Sequence, residues 1–133
     1  MSNLSALCHA WSPRLLSVLR IITGFLYLCH GMMKLLSFPA PFPRPVELFS
    51  LIGLAGVLEL FGGALVLVGL FTRPVAFILS GEMAIAYFMA HAPRGFWPIL
   101  NGGELAVLYC FVFLYLAAAG GGPWSLDRMR HAA

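Results

Sequence analysis

Arg20, Glu59 and Glu82 stand where charge is expensive, inside long apolar stretches, and His30 joins them as a group able to gain or lose a proton. A carboxylate in an apolar medium must be protonated, paired with a cation or set in a hydrated cavity. Both glutamates are therefore candidates for proton exchange, and His30 and Glu59 are the candidate catalytic groups. Arg20, Thr23, Gly24, Tyr27, His30, Gly31 and Lys34 recur at three- and four-residue steps, so one helix would carry them as a single polar stripe turned into a bundle. Arg20 is the expected counter-charge of Glu59. In the plainer alternative the glutamates are neutral hydrogen-bonding contacts between helices, while Lys34 and Arg20 snorkel to opposite interfaces.

Gly56, Glu59 and Gly63 share a helix side, where small neighbours would let another backbone approach the carboxylate. Glu82 and His91 are separated by about 900° at 100° per residue, which predicts opposite faces of a straight helix. His30, Lys34, His91, Asn101 and Glu104 fall near one end of their stretches and would converge on a vestibule there. Two imidazoles and a carboxylate suit a transition metal, but no H-E-x-x-H-like spacing supports one, and no metal site is expected. Haem is disfavoured as well, because C-x-x-C-H is absent. Glu104 also fits the third position of a capping box opened by Asn101. Cys8, Cys29 and Cys110 form no pair with redox or zinc spacing and read as small hydrophobes.

The elements that must position these residues follow from composition. Of 133 residues 61% are apolar and only 13 carry charge (8 Lys+Arg, 5 Asp+Glu), and the mean hydropathy is +0.92. So few charges cannot cover the surface of a small soluble globule. A soluble enzyme, a disordered chain and a nucleic-acid binder are excluded, since the net charge of +3 comes from few ions. Four apolar stretches, about 14–36, 48–71, 74–92 and 104–119, approach the ~20 residues that cross a bilayer, so an all-α integral membrane four-helix bundle is expected as a single domain. Prolines fall at or between their edges, Ser12–Pro13 and Thr72-Arg73-Pro74 look like helix starts, and Trp11, Trp97 and Trp124 sit just outside the stretches. The first stretch is too long for a signal peptide and reads as retained. The connection 37–47 has proline at every second position from Pro39 to Pro45 and should be a stiff strap. Arg14, Arg73, Arg128 and Arg130 on the side of the termini, against Lys34, Arg44 and Arg94 opposite, place both termini in the cytoplasm by the positive-inside rule.

Arg20-Ile21-x-x-Gly24 running into His30-Gly31-x-x-Lys34, then Glu59-Leu60-x-Gly62-Gly63 and Gly69-Leu70-x-Thr72-Arg73, resemble the DoxX family. The resemblance continues through Met83-Ala84-x-Ala86-Tyr87-Phe88 and His91, Asn101-Gly102-Gly103-Glu104-Leu105-Ala106, and Gly120 to Asp127. It implies a multi-pass protein of the bacterial cytoplasmic membrane. It also implies roles for Arg20, His30, Lys34, Glu59, His91, Asn101 and Glu104, which match the family motifs. Some members of that family are described as small subunits of quinol or thiosulfate:quinone oxidoreductases, others as membrane partners in thiol or oxidative-stress defence. The expected function is accordingly a redox-associated subunit, non-catalytic or quinone-binding, with Arg20, Tyr27, His30, Lys34, Glu59, Glu82, His91, Asn101 and Glu104 around a quinone or another apolar small molecule. A proton or small-molecule conduit formed by a homo-oligomer, and a scaffold for other membrane or redox subunits, are the alternatives.

Overall fold

Long apolar runs give long helices, and four of the chain's helices end at a glycine of positive φ: Gly69, Gly95, Gly102 and Gly120. The computed structural model describes residues 3–132 and contains no strand among them. Helix α1 spans Asn3–Leu36, α2 Leu51–Val68, α3 Thr72–Arg94, α4 Pro98–Asn101, α5 Glu104–Ala119 and α6 Leu126–Ala132. The first three are long and apolar enough to cross a membrane, whereas α5 is shorter. At 1.5 Å per residue its 16 residues reach about 24 Å.

The start of α1 corrects one expectation. Ser12 does not cap it and Pro13 lies inside it, because the helix begins ten residues earlier, at Asn3. Proline removes a single donor there, and the carbonyl left over, that of His9, sits on an exposed turn open to other partners. Trp11 is likewise helical. Ser50 starts α2, its hydroxyl accepting from Gly53 N at 3.1 Å. The start of α3 is capped from far along the chain: Asp127 accepts from Phe71 N at 2.8 Å and Thr72 N at 2.9 Å. A carboxylate on these free N–H groups complements the helix dipole. Partial burial pushes the Asp127 carboxyl up, but the bonds from Thr72 and Phe71 and the charge of Arg130 outweigh it and hold it below the usual carboxylate range.

Helix α1 packs along α2, and α3 along α5. The first pair meets backbone to backbone. A Cβ at Gly31 would lie 2.3 Å from Leu60 N, one at Gly24 2.5 Å from Leu67 N, and one at Gly63 2.7 Å from Leu28 N. No side chain fits at those three positions without separating the helices, which fixes the register of α1 on α2. Tyr27, Val66, Leu79, Tyr109, Phe113 and Leu116 fill the centre between the pairs.

Two of the helices widen locally into a π turn, α2 over Leu58–Gly62 and α3 over Tyr87–His91. Each such turn adds one residue and rotates everything beyond it, and π turns gather at functional sites. With one extra residue, about 800° and not 900° separates Glu82 from His91, so the two differ by about 80° in facing, and the expected opposition of their faces does not hold.

Candidate functional site

The polar stripe of α1 faces the bundle: Arg20, Thr23, Gly24, Tyr27 and Gly31 are buried, His30 and Lys34 half-buried. The register then decides which acid each cation meets. Gly31 lies against Glu59 and Leu60, so Lys34, one turn farther along α1, reaches back to Glu59. Lys34 Nζ lies 2.7 Å from Glu59 Oε1 and 2.5 Å from Oε2, the two side chains being 12% and 5% exposed. The ring of Phe42, from the proline-rich strap, covers Lys34 Nζ at 5.3 Å to its centroid.

The expected Arg20–Glu59 pair is therefore overturned. Arg20 sits opposite the far end of α2, fully buried, and donates to four carbonyls: Gly121 O at 2.8 Å, Val66 O at 2.7 Å, Leu67 O at 2.5 Å and Trp124 O at 2.5 Å. Val66 and Leu67 belong to the last turn of α2, at the negative end of its dipole, and Val66 O also accepts from Gly69 N at 3.1 Å. Ser17 adds to this plug by accepting from Trp124 N at 3.1 Å. Gly69 turns the chain there with φ 72, where a Cβ would lie 2.9 Å from Arg20 Cζ. Arg20 thus ties α1, the end of α2 and the C-terminal segment into one closed end.

Glu82 has a different partner. Tyr27 donates to Glu82 Oε2 at 2.8 Å, while Glu82 Oε1 is buried without a hydrogen-bond partner. The Tyr27 ring is held edge-on by Tyr109 at 5.1 Å and Phe113 at 4.8 Å, and His30 meets the Tyr109 ring at 6.1 Å. One lysine, two carboxylates and a phenol thus share the interior. Two surface clefts lie elsewhere, one beside Leu7, Trp11, Leu15 and Tyr115, the other beside Arg73, Asp127 and Arg130.

His91, Asn101 and Glu104 do not join this group by any hydrogen bond among the described residues. Asn101, buried, donates to Gly95 O at 2.8 Å and accepts from Gly103 N at 2.8 Å. His91 Nδ1 lies 3.2 Å from both Asn101 O and Arg94 Nη2, donating to the first or accepting from the second according to tautomer, and its ring stacks on Tyr87. These contacts fold the loop between α3 and α5. Glu104 is exposed, and because Asn101 bonds Gly103 N instead of the third helical N–H, no capping box forms. Among the described residues no three His, Cys, Asp or Glu side chains are grouped as metal ligands. Phe42 and Asp127 are the contributors that sequence reading passed over. Each acts across a long separation in the chain, which no local pattern signals.

Long apolar helices around a buried acid–base group define a multi-pass α-helical membrane protein. The DoxX family model matches residues 15–92, and the chain belongs to the DoxX family. It is 44% identical over 132 residues to an uncharacterized protein of Haemophilus influenzae, covering 96% of each chain. It is 30% identical over 139 residues to an uncharacterized membrane protein of Mycobacterium tuberculosis, covering 92% of this chain and 85% of that one. No solved structure matches.

Proposed function

We propose that this DoxX protein is a redox-associated membrane subunit whose working part is an intramembrane proton site on Glu82, served by Tyr27 and electrostatically set by the Lys34–Glu59 pair. The observation that carries the reading is the buried, unpartnered Oε1 of Glu82, in a bundle where the ammonium of Lys34 is already held by Glu59. Two ionised carboxylates against one ammonium leave a net negative charge in a medium that cannot solvate it. One proton removes it, and Glu82, which lacks a cation, is where the proton rests. The role expected of Glu59 or His30 thereby passes to Glu82.

Reduction of a quinone, or of another apolar carrier arriving from the bilayer, takes up protons together with electrons. In this reading Glu82 supplies or receives such a proton, and Tyr27 orients the carboxyl. The plug at Arg20 supports exchange from the Lys34 end alone, which favours a proton-handling subunit over a continuous conduit. The positive-inside count supports a reading in which the Arg20 end and both termini lie in the cytoplasm, in a bacterial inner membrane.

An apolar carbodiimide tests this, because it adds to protonated carboxyls in apolar surroundings. In membranes at neutral pH, peptide mass analysis should find the adduct on Glu82 and not on Glu59, with yield falling as pH rises. Adduct on Glu59 alone, or on neither, contradicts the assignment. For the redox part, a quinone should survive detergent exchange on the purified protein and be lost in Glu82→Gln.

A further inference from the structure

We propose that the cleft at the Arg20 end of the bundle binds the phosphate group of an anionic lipid. The cleft, of about 790 Å³, is lined by Arg73, Arg128, Arg130 and His131 and by a single carboxylate, that of Asp127. This carboxylate is already engaged, since its two oxygens accept from Phe71 N and Thr72 N. Three guanidinium groups against one carboxylate leave positive charge in excess, and among the described residues none of the three arginines forms an ion pair.

Most of the donors in the cleft are uncommitted. Arg73 bonds the carbonyls of Ala117 and Ala118 at the end of α5 through Nη1 alone. Its Nη2 and Nε lie beside Gly120, 3.4 Å and 3.5 Å from where a Cβ would stand, and donate to nothing among the described residues. Arg128 makes no side-chain hydrogen bond among those residues, and Arg130 only rests over the Phe71 ring, 4.8 Å from its centroid. Thr72 Oγ1, in the cleft lining beside Asp127, is buried with no hydrogen-bond partner, a hydroxyl left for an acceptor that the protein does not supply. At 100° per residue Asp127, Arg128, Arg130 and His131 share one half of α6, with the exposed Leu126 and Met129 on the other. A phosphate meets this arrangement well, because each planar guanidinium can donate to two of its oxygens at once.

The level of the cleft points to a lipid as the source. It joins Thr72, the first residue of α3, to Ala119, the last of α5, and α2 ends just before it at Val68, so three apolar helices stop where the phosphates of a bilayer lie. The exposed Trp124, in the same segment, suits that level. A topology bias by itself puts arginines at such an end without gathering them. Arg14, at the same end, lies outside the cleft, whereas the other three line it together.

Native mass spectrometry of the full chain, released from mixed micelles of phosphatidylglycerol and phosphatidylcholine, reads the site. The wild type should retain phosphatidylglycerol in preference to phosphatidylcholine. Arg128→Gln, which loses no side-chain contact within the protein, should lower the retained fraction, and Arg128→Gln with Arg130→Gln should lower it several-fold, while Arg14→Gln leaves it unchanged. Inorganic phosphate, added at the concentration of the phosphatidylglycerol, should not displace it. Equal retention of the two lipids, or a loss in Arg14→Gln as large as in the double variant, overturns the proposal. Displacement by inorganic phosphate overturns the lipid as the source and leaves the cleft to a free phosphate.

Discussion

Arg20→Met is expected to destabilise the folded protein by about 3–5 kcal/mol, at about 1–3 kcal/mol for each buried acceptor left without its donor. The change leaves the carbonyls of Leu67 and Trp124 without their donor, leaves Val66 O and Gly121 O to Gly69 N and Ser17 Oγ alone, and strips the cation from the end of α2. Arg20→Lys should recover only part of the loss, because one ammonium offers three donors at a point while the guanidinium spans four acceptors with a planar fork. Unfolding by heat or denaturant in detergent measures both. Because the affected carbonyls come from α2 and from the C-terminal segment, the lysine variant should also speed proteolysis around Trp124. A stability within about 1 kcal/mol of wild type, the usual limit for a surface ion pair, would show that Arg20 snorkels and that the closed end is not held by it.

Lys34→Met should be the other severe substitution, again about 3–5 kcal/mol, since it strands Glu59 in the interior beside Glu82. The reverse change should be milder. In Glu59→Gln the lysine keeps its 12% exposure near the end of α1 and can turn its head outward along its own stem. Combining the two should recover much of the loss of Lys34→Met, because no unpaired charge remains. Equal cost for both single variants, with the double simply their sum, would mean the pair is not coupled as its geometry implies.

How much of this was readable in the chain depends on distance along it. The stripe from Arg20 to Lys34 is a local periodicity, and the same steps that put it on one face bury it. The depth of Glu59 and Glu82 was legible for the same reason, from position within an apolar run. Partnership was not. Both Arg20 and Glu59 are deep, which made them look like a pair, but the register is set by Gly24, Gly31 and Gly63 meeting the facing backbone, and it slides Arg20 past the end of the α2 carbonyls. Hydropathy carries no information about which glycines make that contact. The π turns escaped for a related reason: they alter rotation without altering composition, and so they changed the facing of His91 relative to Glu82. Asp127 on Phe71 and Phe42 over Lys34 are contacts between distant segments that only the packed chain creates.

The central claim is that a proton rests on Glu82, and infrared difference spectroscopy of the protein in lipid reads it directly. At neutral pH the wild type should show the carbonyl band of a protonated carboxyl, lost at high pH, absent in Glu82→Gln and retained in Glu59→Gln. A neutral-pH spectrum without that band, or one in which it survives Glu82→Gln, contradicts the account.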